Sequence, residues 1–392
     1  MPKLVPLDEL RVGMYVHDLN CGWLDHPFTR NRFLINDAET LARIRRMPLS
    51  AVWIDADKSS VQPAAATEET TPEDEPVCAT PVSYVTEREY ARRIRDQASR
   101  AVEEAMNRCS LGHNLDLTTI AHIVDDMLDL LERHQQALLG MCRLRSKDRY
   151  TFDHSVNVAI LAATIGKDMG LARGDLHELA LGGLLHDVGK SCTPLRILNK
   201  PSKLSEREFA IMKRHVEHGE HIASRIPQLS AAARAIIVEH HERLDGSGYP
   251  LGLKDNEIGL FGRIVAVCDV YDAMTADRCY RSGMEPTEVL RLLLQWSKGA
   301  FDTRAVHHLV RSVGVYPVGT LVRMASDRLA MVIQPGTKGL LHPVVRVFYD
   351  IERQLHLMHH DIDLSHEECD SIVAPETKEQ WGFAPELLPQ PE

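Results

Sequence analysis

This chain has no apolar run near the roughly 20 residues that a membrane-spanning helix needs; its longest, such as Val156 to Ile165, are about half that. No membrane anchor is expected. The opening segment MPKLVPLDELRVGMYV lacks the basic stretch and apolar core of a secretory signal. Its eight cysteines are scattered singly, with no CxxC pair and no dense spacing. That excludes a disulfide framework and fits reduced thiols in the cytoplasm. Basic charge is scarce as well: 45 Lys and Arg stand against 56 Asp and Glu, a formal net charge of −11. A general hold on duplex DNA or RNA needs a positive field, so that class is set aside and only a local basic pocket stays open.

What is abundant is histidine, 20 in 392 residues, roughly twice the usual share. The length is two to three times that of one domain, so several units are expected. Residues 1–58 alternate apolar and polar positions in short runs (Arg11 to Val16, Arg32 to Ile35, Ala51 to Ile54) around one helical stretch, Asp37 to Met47, and read as a small α/β module. Residues 59–83 contain no basic residue and five acidic ones among prolines, alanines and threonines, the composition of a flexible acidic linker.

Residues 84–147 carry helical periodicity, with Ile120, Ile123, Val124, Met127, Leu130 and Leu131 on one face. They read as a helical connector that pairs as a hairpin or forms a homodimer contact. Residues 148–313 are almost wholly helical in pattern. Residues 314–368 turn to period two and read as a small β-rich segment. The acidic, proline-bearing residues 369–392 read as a frayed tail. The expected fold class is therefore multidomain, mainly an all-α domain, with a small α/β module before it and a short β-rich segment after it.

Inside the helical domain, His154 lies in YTFDHSVNVA, His186 and Asp187 in LLHDVGK, His215 in KRHVEHG, His240 and His241 in EHHERLDGSGYP, and Asp269 in VAVCDVYDAMTADRCYR. Imidazole and carboxylate together are the ligand set of borderline divalent metals, and a carboxylate beside a histidine can bridge two ions. The absence of cysteine from the set argues against structural zinc. Each histidine sits beside an apolar helical run, where an unpaired buried ring would cost about 1–3 kcal/mol that a shared metal removes. His218 and His221 are left to a solvated helix face, and His307, His308, His359 and His360 lack companion carboxylates.

The paired HDVGK and HHERLDGSGYP strings and the later CDVYDAMT string resemble the HD-GYP family, a branch of the HD phosphohydrolases whose members cleave cyclic di-GMP in bacteria. The resemblance covers residues 148–313; more weakly, residues 1 to about 60 look like the small domain of unassigned function that often precedes it. It implies two divalent metals, iron or manganese first and nickel, cobalt or zinc tolerated. His154, His186, Asp187 and Asp269 would hold one metal, and Asp187, His215, His240 and His241 the other. Two such cations can trap a bridging hydroxide and clamp the phosphoryl oxygens during in-line attack. Members with three metals carry a glutamate four residues before the first histidine; Tyr150 stands there, so two metals are expected.

Lys190 would neutralise a phosphate oxygen as part of the catalytic apparatus with Asp187, and otherwise would cap its helix. Tyr249, projected by the loop of Gly246, Gly248 and Pro250, would contact phosphate or guanine, and Arg278 and Arg281 would add bidentate contacts. A salt bridge to Asp272 or Asp277 is the plainer role for Arg278, and Asp272 can be read as a helix-structuring residue. The expected activity is cleavage of cyclic di-GMP to linear pGpG and onward to GMP. The alternatives are a cyclic GMP-AMP phosphodiesterase, or a receptor that binds the dinucleotide and signals through a partner of the N-terminal module with little turnover.

Overall fold

The computed structural model describes residues 2–7, 10–18, 32–45, 51–55, 58–59, 84–142, 150–276, 283–334, 336, 340–366, 370–383 and 387–389. The chain divides into two compact units at Pro81/Val82. In the first, β1 (Pro2–Pro6), β2 (Tyr15–Asp18), β3 (Phe33–Leu34), α1 (Ala38–Arg45) and β4 (Ala51–Asp55) form an antiparallel sheet ordered β1-β4-β2-β3 with one helix. Leu10, Met14, Val16, Ile35, Ile44, Val52 and Ile54 make its core. The proline-flanked β1 was invisible as an alternating pattern, yet it pairs along its length with β4. Nearly all of the acidic linker, residues 60–83, lies outside the described residues.

The second unit begins with α2 (Tyr84–Ser110) and α3 (Thr118–Met141), followed by α4 (Tyr150–Asp168) and α5 (Arg173–Leu185). A 3-10 turn (Val188–Cys192) leads to α6 (Leu195–Leu198), α7 (Glu206–Lys213), α8 (His215–Ser224), α9 (Ala231–Glu239), α10 (Leu260–Thr275), α11 (Pro286–Trp296) and α12 (Thr303–Val313). Val156 and the run from Val158 to Ala163 are all buried, so α4 is apolar on every side and takes the middle of the bundle. It packs against α2, α3, α5, α10 and α12.

Helix α2 presents Ala91, Ile94, Ala98, Val102 and Ala105 at helical spacing to the same core. It also carries Arg95 inward, 2.8 Å from the buried Asp153, which accepts a 2.9 Å hydrogen bond from Ser99. That pair anchors the first turn of α4 one residue before His154. Residues 84–142 thus share one hydrophobic core with the helices that follow.

After the bundle, β5 (Leu321–Met324), β6 (Arg328–Gln334), β7 (Val344–Asp350), β8 (Leu355–Asp363) and β9 (Ile372–Glu376) form an antiparallel sheet ordered β8-β7-β6-β5-β9. The frayed-tail reading of residues 369–392 is corrected here: Ile372–Glu376 pairs with β5, and Trp381 of α13 (Lys378–Trp381), Phe383 and Leu388 pack on the sheet face of Leu321, Leu329, Met331 and Phe348. Apolar side chains, not net composition, decide order there. Among the described residues no helix is long and apolar enough to cross a membrane.

Candidate metal centre

Helix ends deliver most of the chemistry-bearing side chains. His154 comes from the first turns of α4, His186 caps α5 with Asp187 next to it, His215 opens α8, and His240 caps α9 with His241 next to it. Asp269 lies within α10. Asp187 reaches the others because Gly189 presses the 3-10 turn onto α8: a Cβ there would lie 1.9 Å from the His215 carbonyl oxygen and 2.4 Å from the Gly219 nitrogen. Any side chain would push the turn away.

The result is two groups that could each hold a metal ion, Asp187 with His215, His240 and His241, and His154 with His186 and Asp269. Asp187 faces both. Its Oδ2 is 3.2 Å from His186 Nε2 and 3.7 Å from His154 Nε2, while its Oδ1 is 3.3 Å from His215 Nε2 and 3.8 Å from His240 Nε2. Asp269 stands 3.0 Å from His154 Nε2 and 3.6 Å from His241 Nδ1. All but His241 are almost completely buried.

The far side of each ring explains which nitrogen faces inward. Nδ1 of His186, His215 and His240 donates to the carbonyls of Gly183 (2.7 Å), Met212 (2.8 Å) and Ile237 (2.9 Å). A carbonyl only accepts, so Nδ1 carries the proton and Nε2 is left as a lone pair. His154 does the same toward a carboxylate, Nδ1 to Asp272 Oδ2 at 2.7 Å, and Asn157 holds the other Asp272 oxygen at 2.9 Å. Asp272 is thus more than a helix-structuring residue. Its only sequence signal was its position one turn after Asp269, and its meaning required the packing of α10 on α4.

These donors fit divalent cations. His186 Nε2 and Asp187 Oδ1 are buried and make no hydrogen bond. His215 Nε2 and His240 Nε2 approach to 3.3 Å, lone pair toward lone pair, which a cation between them relieves. Burial holds the His215 imidazole down at about 4 and His241 at about 3, so both rings are neutral at pH 7. Burial also lowers His240. Burial acts the same way on His154, but hydrogen bonds to Asp269 and Asp272 outweigh it and lift that ring to about 9. Asp187 and Asp269 stay well below the ordinary carboxylate range: burial would raise them, and His186 with Lys190 for the first, His154 with His241 for the second, overcome it.

Lys190 folds back onto Asp187 and donates to its Oδ2. Tyr249 stacks on His241 with ring centroids 4.6 Å apart. Its loop is stapled to the histidine pair: Tyr249 N donates to His241 O at 3.2 Å, and a Cβ on Gly248 would lie 2.5 Å from Glu242 Cα and from Arg243 N. Buried Glu242 accepts from the amides of Leu251 (2.7 Å), Gly252 (3.1 Å) and Leu253 (3.0 Å), a clamp that the sequence reading missed. Burial, reinforced by Asp269 and Asp187, raises the Tyr249 phenol, so it remains a neutral donor. Arg278 and Arg281 lie outside the described residues. His218 and His221 stand apart from both ligand groups.

Residues 121–304 match the HD domain family and residues 3–120 a domain of unknown function (DUF3391). That boundary falls in the first turn of α3, although α2 packs with the helical core. A cyclic di-GMP phosphodiesterase of Pseudomonas aeruginosa is 37% identical over 390 residues, 98% of this chain and 94% of that protein. A cyclic di-GMP phosphodiesterase of Thermotoga maritima is 43% identical over 167 residues, 42% of this chain and 45% of that one. The 3'3'-cGAMP-specific phosphodiesterase 1 of Vibrio cholerae is 36% identical over 212 residues, 53% of this chain and 47% of that one.

Proposed function

This chain belongs to the HD-GYP family of cyclic dinucleotide phosphodiesterases, and from that premise we propose that it hydrolyses cyclic di-GMP to linear pGpG and then to GMP. The observation that carries the reading is the division of Asp187, one oxygen toward each histidine group, with the Nε2 lone pairs turned inward. His154, His186, Asp187 and Asp269 would hold one divalent ion, and Asp187, His215, His240 and His241 the other. Iron or manganese suits this oxygen and nitrogen set. Such a pair supplies a hydroxide nucleophile at neutral pH and neutralises the phosphoryl oxygens.

The protein's own groups do the rest. Asp187 ties the two ligand groups into one rigid centre. Lys190, parked on Asp187, is the cation available to a phosphate oxygen. The neutral phenol of Tyr249 donates a hydrogen bond to the substrate from the wall formed by His241, and Glu242 keeps that wall closed. Arg278 and Arg281 are proposed further contacts to phosphate or guanine. Cyclic di-GMP is preferred over cyclic GMP-AMP because the likeness spanning nearly the whole chain is to a protein named for cyclic di-GMP. The proposed setting is the cytoplasm.

The test is turnover of cyclic di-GMP by purified protein loaded with iron or manganese, under anaerobic and aerobic conditions, with products separated by chromatography. Accumulation and decay of pGpG that chelator abolishes is expected. Tight binding without cleavage by the metal-replete protein would replace the enzyme with a receptor.

A further inference from the structure

The rim of the centre holds a cation with no anion. Lys213 ends α7, two residues before His215, and its Nζ lies 5.4 Å from the Tyr249 ring centroid and 5.2 Å from that of Phe209. Arg214, the next residue in the chain, meets Glu217 at 3.5 Å. Among the described residues Lys213 has no carboxylate within ion-pair distance. Two aromatic faces hold the ammonium by cation–π attraction, which orients it without cancelling its charge. One of those faces belongs to Tyr249, whose ring rests on His241.

A cyclic dinucleotide brings two phosphodiesters on one small macrocycle. The centre can engage one; the other remains a monoanion beside the site. An ammonium is a point charge suited to such an oxygen, not to the planar edge of a base. We infer that Lys213 binds the phosphodiester that is not being cleaved, reaching it from the outer side of Tyr249. The inference rests on the reading of the substrate as a cyclic dinucleotide. It makes Lys213 a substrate-binding residue that separates two-phosphate from one-phosphate substrates.

The experiment compares the metal-loaded protein with Lys213→Met and Lys213→Arg, reading metal content, kinetics on cyclic di-GMP and on bis-p-nitrophenyl phosphate, and calorimetric binding of cyclic di-GMP. Lys213→Met should raise KM and Kd for cyclic di-GMP roughly 10- to 100-fold, the worth of a charge-assisted hydrogen bond. It should leave metal content and the single-phosphate ester unchanged, and Lys213→Arg should recover most of the affinity. Unchanged affinity, equal losses on both substrates or loss of metal would overturn the inference. So would a Lys213→Met effect that vanishes in a Tyr249→Ala background, since Lys213 would then act only by holding the ring. Because binding is read apart from cleavage, a protein that binds cyclic di-GMP through Lys213 without cleaving it would contradict the proposed activity and leave the contact standing.

Discussion

The two halves of the centre hold the same kinds of side chain, and one ring, His154, rests on a different support from those of His186, His215 and His240. In the group of His154, His186 and Asp269, His154 is backed by a carboxylate, Asp272, and its ring is lifted to about 9. In the group of His215, His240 and His241, the rings of His215 and His240 are backed by carbonyl oxygens, and burial brings His215 to about 4 and His241 to about 3. The carboxylates Asp269 and Asp272 set the charge of the first half, and burial sets that of the second. One half holds a proton on His154 until a cation displaces it; the other offers neutral lone pairs throughout the physiological range.

Removing the residue common to both halves should cost most. Asp187→Ala should empty at least one site and lower cyclic di-GMP hydrolysis by on the order of 1,000-fold or more, read by elemental analysis and kinetics on the same sample. An Asp187→Ala protein with near-normal activity would break the two-group account. His240→Ala should spare the first group, leaving about one ion per chain and activity reduced on the order of 100-fold. Asp272→Asn touches only the first group, through the support of His154. It should weaken one cation about 10- to 100-fold while the other is unchanged, as loss of an outer partner of a metal-bound imidazole does.

The same contrast has a proton signature. Metal uptake by the first half near pH 7.5 should release about one proton from His154, whose free-form value lies above that pH, whereas the already neutral rings of the second half release none. Calorimetry in buffers of different ionisation enthalpy measures it, and Asp272→Asn should reduce the release. The smallest effect belongs to His218→Ala, which should change metal content and rate less than about twofold because that ring belongs to neither half.

How much of this was legible in the sequence follows the range of each signal. His154, His186, Asp187, His215, His240, His241 and Asp269 lie in short strings whose chemistry is local, and the structure brings all seven to one centre. Asp272, Glu242 and Lys213 acquire roles only through contacts across 118, 9 to 11 and 36 positions of the chain respectively, with His154, the loop after Tyr249 and Tyr249 itself. Helix α2 reads as part of a helical connector because its 27 residues contribute only a narrow apolar stripe; that stripe and Arg95 join it to the helical core. Strands β1, β8 and β9 escaped the alternating pattern because prolines flank or interrupt the first and last, and because β8, LHLMHHDID, is mostly exposed.

Two cations, one in each half, should be needed together for cleavage. Metal-free protein titrated with manganese or, anaerobically, ferrous iron should be assayed for cyclic di-GMP cleavage at each measured ratio of bound metal to chain. Little cleavage is expected until the second equivalent binds, and full cleavage at about two. Full cleavage at one equivalent, or in the chelated protein, would contradict that expectation.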